Sequence, residues 1–475
     1  MNGSGGGAAP GPDGAPSRTD GAARSADGRP SRADGSRGRA DAGASRANGR
    51  PPRADAGSPW TRAALALGLA VVLQVVVLTL LFPNLWYGLH DISDIPIYQE
   101  YSSLMAQGYR PYLDFGVEYP PLALPIFRLG GDGLDPDAYT TGFTVAMGVI
   151  TVAGAIVVTL AALALWPRGR RPYAAAALYA AAVAFTGTII VNRYDAAVAL
   201  LVAGLLLCLA RRWLTAAAFI LGLGFALKLT PLALLPLVLL LAGHPRRWAW
   251  PLVAFTAAAV TPFIPYLFSS PGGVWEVFAY HLERPLQIES VLGTPMMIAG
   301  ALGWAPFEVG FSHGSHQLIA SGAGFAAFLS GPLTVAAVLG VYWMLWRRRD
   351  ALCETPEEQP LAVLALLLAM MAFGKVLSPQ YVIWMLPPLA LVAVRDRTVA
   401  VLGAVVLLLT QLEFPGLYGD LLREETEALV VVIVRNVALL VLFGVVGLRV
   451  WWLGESSPNA GAVAGSRLAA PRGGL

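Results

Sequence analysis

The chain has 475 residues, 56% of them hydrophobic, and a mean hydropathy of +0.60, which excludes an ordinary soluble domain. Charged residues make up 13% and the formal net charge is +3, so bulk charge gives no reason to expect nucleic acid as a partner. Cys208 sits alone in an apolar run and Cys353 alone in a polar loop, a pattern that suits neither a metal site nor a disulfide.

Residues 1–59 contain no Leu, Ile, Val, Phe, Tyr or Trp and cannot bury a core, so they read as a disordered tail. Asp13, Asp20, Asp27, Asp34 and Asp41 recur every seven residues, continuing through Asn48 to Asp55. No apolar a and d positions accompany them, so this is a low-complexity expansion rather than a coiled coil. A tether to anionic lipid through its arginines is the alternative. The tail is too long and polar for a signal-peptide n-region, so the next segment is expected to stay as an anchor.

Twelve apolar runs follow, at 61–82, 138–165, 173–191, 194–210, 214–228, 231–242, 248–269, 323–346, 359–374, 379–394, 398–413 and 429–452. They predict an all-α polytopic membrane protein with about 11–13 spans. The membrane domain covers residues 60–453, and 454–475 form a second disordered tail. The runs 214–228 and 231–242 read as one helix broken at Lys228-Leu229-Thr230-Pro231, because proline removes a backbone donor. The run 291–304 reads as a re-entrant piece.

Arg168, Arg170 and Arg171 share one loop, and Arg211–Arg212, Arg246–Arg247, Arg347–Arg349 and Arg395 with Arg397 mark four more. If the N-terminal tail is cytoplasmic and the twelve runs alternate, all five clusters fall on the cytoplasmic side. Both termini are then cytoplasmic, and the loops 83–137, 270–322 and 414–428 lie outside.

The first outer loop, with a helical stretch at 97–107, crowds Asp91, Asp94, Glu100, Asp114 and Glu118 among five tyrosines. This reads as the active-site loop of a membrane enzyme. Asp94 stands about a dozen residues past the first span, where a carboxylate reaches a head group whose tail lies in the bilayer. As a general base it draws a proton from an acceptor hydroxyl; as a structural residue it caps the following helix. Both readings stay open, and Asp91 reads as a solvated turn residue. Asp94, Asp114 and Glu118 offer oxygen ligands to a divalent cation, although no spacing dictates a metal site.

The second outer loop carries Tyr280-His-Leu-Glu-Arg-Pro-Leu-Gln-Ile-Glu-Ser290. His281, Arg284 and Gln287 recur at helical spacing, and Arg with His suits a phosphate. Alternatively the helix is interfacial and Arg284 pairs with Glu283 or Glu289. Two lone lysines, Lys228 and Lys375, stand beside proline breaks where a charge within the apolar runs needs a cavity or a partner. Snorkelling to the interface is the alternative for Lys375. Arg193 and Asp195 read as a structural pair.

The succession DIPIY, GYRPY and EYPPL after a first membrane helix resembles the family-87 polyprenyl-phosphate-mannose-dependent glycosyltransferases of the C-type superfamily. The segments KLTPLALLPL, HLERPLQIES and GKVLSPQYVIWMLPPL are similar to that family too, and the resemblance spans roughly 61–452. It implies an inverting hexosyltransferase, with the family's catalytic aspartate matching Asp94. The donor it implies is a polyprenyl-phosphate sugar, commonly mannose, and the acceptor a lipid or glycan at the outer face. Such chemistry needs one base and several cations for the departing phosphate. Asp94 is then the base, and Arg284, Lys375, His281 and Lys228 hold the phosphate. Tyr98, Tyr112, Glu118, Tyr119, Gln287 and Glu289 face the sugar or the acceptor. No cofactor and no resident metal are expected. The rival reading is a transporter or flippase of lipid-linked sugars, which predicts midplane charges and internal repeats. The Ala-, Gly- and Arg-rich composition points to a bacterial plasma membrane.

Overall fold

The computed structural model describes residues 58–455. The seven-residue Asp repeat and everything beyond residue 455 lie outside them. All twelve apolar runs are helical. Seven of the resulting helices are long and apolar enough to cross a membrane: Pro59–Asn84, Pro136–Leu165, Ala249–Ser269, Ala323–Arg347, Pro356–Phe373, Arg397–Gly416 and Thr426–Trp451. The other five runs give shorter or interrupted helices, of which Asp195–Ala210 extends only about 24 Å.

Helix starts follow local chemistry. Asp135 accepts from the amides of Asp137 and Ala138, and Asp396 from those of Thr398 and Val399, satisfying donors that have no intrahelical partner. The two central segments, Gln359–Phe373 and Val382–Ala393, are apolar on every side and buried on nearly every side. Leu214–Leu227 packs on Ala249–Val260 through small residues. A Cβ on Gly222 would stand 2.4 Å from the Phe255 carbonyl oxygen, so only glycine admits this backbone approach.

The predicted break falls where expected. Leu214–Leu227 ends at Lys228, whose backbone is extended (φ −158°, ψ 123°), and the chain resumes as Thr230–Ala242. A matching break leaves 374–378 non-helical between the two central segments.

The helical membrane fold stands, with one added element: Phe307–Ser312 and Ser315–Ala320 form an antiparallel hairpin. His313 and Gly314 at its tip both take positive φ, the conformation of a two-residue hairpin turn. One expectation needs correction: the helix through His281 stops at Glu283, so Arg284 and Gln287 do not continue its face. Arg284 precedes a proline, which disfavours helical backbone, and it adopts φ −52°, ψ 132°. From there the chain is pinned as a strand-like arm, with the Gln287 amide donating to the Lys375 carbonyl (2.9 Å) and the Ile288 amide to that of His316 (3.2 Å).

Candidate active site

A cavity of about 260 Å³ opens between the first loop, the two helix breaks, the arm after Arg284 and the hairpin tip. Asp94, Glu118 and Tyr119 line it from the first loop, Lys228 from the first break, and His281, Arg284, Gln287 and Glu289 from the second loop. Eight of the residues picked out in the sequence therefore meet in one place.

Asp94 sits at the N-cap position of Ile95–Ala106, yet its side chain makes no capping bond. The capping reading is therefore set aside. Its Oδ2 forms an ion pair with Arg193 Nε at 3.0 Å and accepts from the Tyr98 hydroxyl at 3.3 Å. Oδ1 accepts no hydrogen bond from the described residues and remains for a ligand. Asp91 behaves as a turn residue, its carboxylate accepting from the Gly88 amide at 2.6 Å. Asp114 pairs with Arg110 at 3.0 Å away from the cavity, so the three candidate cation ligands do not converge. Among the described residues no three His, Cys, Asp or Glu are grouped to hold a metal ion.

Tyr98 and Tyr112 do not reach the cavity. Tyr98 is buried, stacks on Phe127 at 4.5 Å and orients Asp94. Tyr112 donates to the Tyr119 carbonyl (2.7 Å) and so shapes the turn that presents Glu118 and Tyr119. The Tyr112 carbonyl in turn accepts from Ser270 Oγ (2.7 Å), docking the second loop on the first. Gly273 permits that contact, since a Cβ there would lie 2.0 Å from the same oxygen. Burial pushes the Glu118 carboxyl above its ordinary range, and Tyr101 donates to it.

The cations divide by partner. Arg193 and Asp195 are not paired with each other. Arg193 serves Asp94, and the wholly buried Asp195 holds Lys228 Nζ at 2.5 Å while accepting from Trp384 Nε1 at 2.6 Å. The rings of Tyr194, Trp384 and Tyr381 surround that ammonium at 4.7, 5.0 and 5.3 Å. Arg284 has no carboxylate partner among the described residues; it donates to Ser315 Oγ (2.6 Å), and its Nε is buried and unpartnered. Lys375 misses the cavity wall and donates to the Leu282 carbonyl (2.6 Å), fixing the helix end that carries His281. Burial, reinforced by Arg284, Lys228 and Lys375, pushes the His281 imidazole down to about 4. It is therefore neutral near pH 7 and adds no charge for a phosphate.

Sequence reasoning missed Arg193, Tyr381, Tyr418 and the hairpin tip. The alternation of FEVGFS and SHQLIA around His313-Gly314 carried a hairpin signal.

Comparison with known proteins bears on this arrangement. The model of glycosyltransferase family 87 matches residues 118–379, a span that holds Glu118, Arg193, Lys228, Arg284 and Glu289, with Asp94 preceding it. The polyprenol-phosphate-mannose-dependent alpha-(1-2)-phosphatidylinositol mannoside mannosyltransferase of Mycobacterium tuberculosis is 29% identical over 338 residues, covering 65% of this chain and 72% of that protein. Two similar solved structures have low identity. ArnT from Cupriavidus metallidurans bound to undecaprenyl phosphate matches at TM-score 0.42 and 17% identity, over 88% of this chain and 82% of that one. The apo Archaeoglobus fulgidus oligosaccharyltransferase matches at 0.41 and 13%, over 87% and 61%. The family match covers more than half of the sequence, and the chain belongs to glycosyltransferase family 87.

Proposed function

We propose that this protein transfers a hexose, mannose, from a polyprenyl-phosphate donor to a lipid or glycan acceptor, with inversion, at the outer face of the plasma membrane. One observation carries the reading: a single cavity places a carboxylate with a free oxygen, Asp94, beside three cations, Arg193, Lys228 and Arg284. The donor class is supported by the printed name of the mycobacterial relative. The outer placement is supported by the five basic clusters, all of which fall on the opposite side when the twelve runs alternate.

In this mechanism Asp94 Oδ1 takes the proton of the acceptor hydroxyl as its oxygen bonds to the sugar C1. The C1–O bond to phosphate breaks, and its electron pair leaves on the phosphate oxygen. Arg284 and Lys228 meet the growing phosphate charge with hydrogen bonds fixed in advance. Glu118, Tyr119 and Gln287 contact the sugar or the acceptor. Tyr98 and Arg193 hold Asp94 in place, and Lys375 acts from behind through the helix end. Lipid-linked substrates explain a site at the bilayer boundary.

The test is transfer of radiolabelled mannose from polyprenyl-phosphate mannose to a crude lipid and glycan extract by detergent-purified protein. Transfer by wild type that is lost in a folded Asp94→Asn supports the reading. Wild type that transfers nothing from any polyprenyl-linked sugar overturns the donor assignment.

A further inference from the structure

One wall of the cavity is built against the usual rule for buried charge. Glu289 is 1% exposed, lines the cavity, and neither of its side-chain oxygens has a hydrogen-bond partner of good geometry among the described residues. Behind it Arg435, wholly buried, forms an ion pair with the equally buried Glu413 at 3.0 Å. The same guanidinium donates to the Glu289 backbone carbonyl at 3.0 Å, so it stands between the two glutamates. The Glu413 carboxylate thus takes the ion pair with Arg435, and the Glu289 carboxyl is left without one in a place where an uncompensated charge is expensive. Arg193, Lys228 and Arg284 line the same cavity, but none of them forms an ion pair with Glu289. Tyr418 lies beside it, and His316, whose imidazole burial pushes down, shares a hydrogen bond of 3.0 Å with the Tyr418 hydroxyl. Tyr381 is within electrostatic reach of Glu289 and of Arg284, and its ring packs on Lys228. Glu289 lines the same cavity as Arg284 and Lys228, the two cations assigned to the phosphate.

We propose that Glu289 is held as a neutral carboxylic acid and donates a hydrogen bond to the phosphate of the polyprenyl-linked donor and product. An ionised carboxylate here would repel that phosphate, whereas the protonated acid supplies a donor at the same point. Glu413 does the holding, because it has already claimed Arg435. The titration agrees with this geometry: burial and the neighbouring Glu413 push the Glu289 carboxyl up to about 8. The inference rests on the phosphate-donor reading above.

The experiment measures binding of farnesyl phosphate to the detergent-purified full chain by calorimetry at pH 7 and pH 9. Only the protonated form binds well, so wild-type affinity is expected to fall about tenfold across that interval. Glu289→Gln keeps an N–H donor and cannot ionise, so its affinity should match wild type at pH 7 and persist at pH 9. Glu413→Gln frees Arg435 to pair with Glu289, and at pH 7 it should show the weak binding of wild type at pH 9. A parallel fall in wild type and Glu289→Gln would assign the pH response to Lys375 or Lys228 and overturn the inference alone. No wild-type binding at pH 7 would overturn the donor reading and the inference together. Undiminished binding by a folded Glu413→Gln at pH 7 would remove the role given to Glu413.

Discussion

The two sides of the cavity handle buried charge differently. On the first-loop side two carboxylates have their own cations, Asp94 with Arg193 and Asp195 with Lys228, while Glu118 is held by the Tyr101 hydroxyl. On the side facing Thr426–Trp451, Arg435 pairs with the Glu413 carboxylate and reaches only the backbone carbonyl of Glu289. Balanced pairs hold fixed charges, which suits a base and an anion receptor. The unbalanced cluster must keep a proton or accept a large penalty. The fixed ion pairs of Asp94 and Asp195 thus contrast with the unbalanced Glu289 cluster, whose charge responds to pH.

Asp94→Asn is expected to have the largest effect. Removing the base while keeping its shape should lower the transfer rate about 10²–10⁴-fold, with near-normal thermal unfolding. Full activity in this variant would move the base to Glu118. Arg435→Met comes next: it leaves Glu413 buried without its cation and should cost about 3–5 kcal/mol of stability. A denaturation midpoint unchanged from wild type would show that this guanidinium is not needed. Arg284→Gln removes the cation without a carboxylate partner. Losing charged hydrogen bonds of about 1.5–3 kcal/mol should reduce kcat/KM for the lipid donor roughly 10–100-fold.

His281 sharpens the comparison through its pH response. Its imidazole is held near 4 in the folded chain against 6.5 when unperturbed. As pH falls from 6.5 toward 4, the unfolded chain takes up a proton that the folded chain refuses, so stability drops. His281→Asn should flatten the unfolding temperature across that window, and an unaltered slope would place the response elsewhere. The smallest effect belongs to Asp91→Asn, which touches only a turn amide and should change stability by no more than about 0.5 kcal/mol with activity intact. Loss of transfer in that variant would reopen the choice between Asp91 and Asp94.

Much of this was legible in the chain. The twelve apolar runs announced every long helix because membrane helices carry their signal in composition. Asp94 stood out because a carboxylate at that boundary is costly without a task. The lone lysines were conspicuous for the same reason, although only Lys228 reaches the cavity. The rest depended on contacts between distant segments. Arg193 looked satisfied by Asp195 two residues on, but its backbone is extended in the link before Asp195–Ala210 begins, and its guanidinium pairs with Asp94 instead. Tyr98 and Tyr112 were read as sugar contacts because tyrosines in a catalytic loop look exposed, whereas both are packed beneath it. Glu413 and Arg435 lie in different helices and meet Glu289 only after folding. The transporter reading gives way to membership in a glycosyltransferase family.

The position of Arg435 also bears on how the enzyme is made. The base and the phosphate cations lie between residues 94 and 284, but the guanidinium behind Glu289 comes from Thr426–Trp451, where Asn436 also donates to the Ser290 carbonyl at 3.2 Å. Under the proposed mechanism the site is incomplete until Thr426–Trp451 has packed against it. A nascent chain halted before residue 426 carries its reactive carboxylate without a finished site. On the proposed mechanism, the wall behind Glu289 is thus among the last parts of the site to form during synthesis.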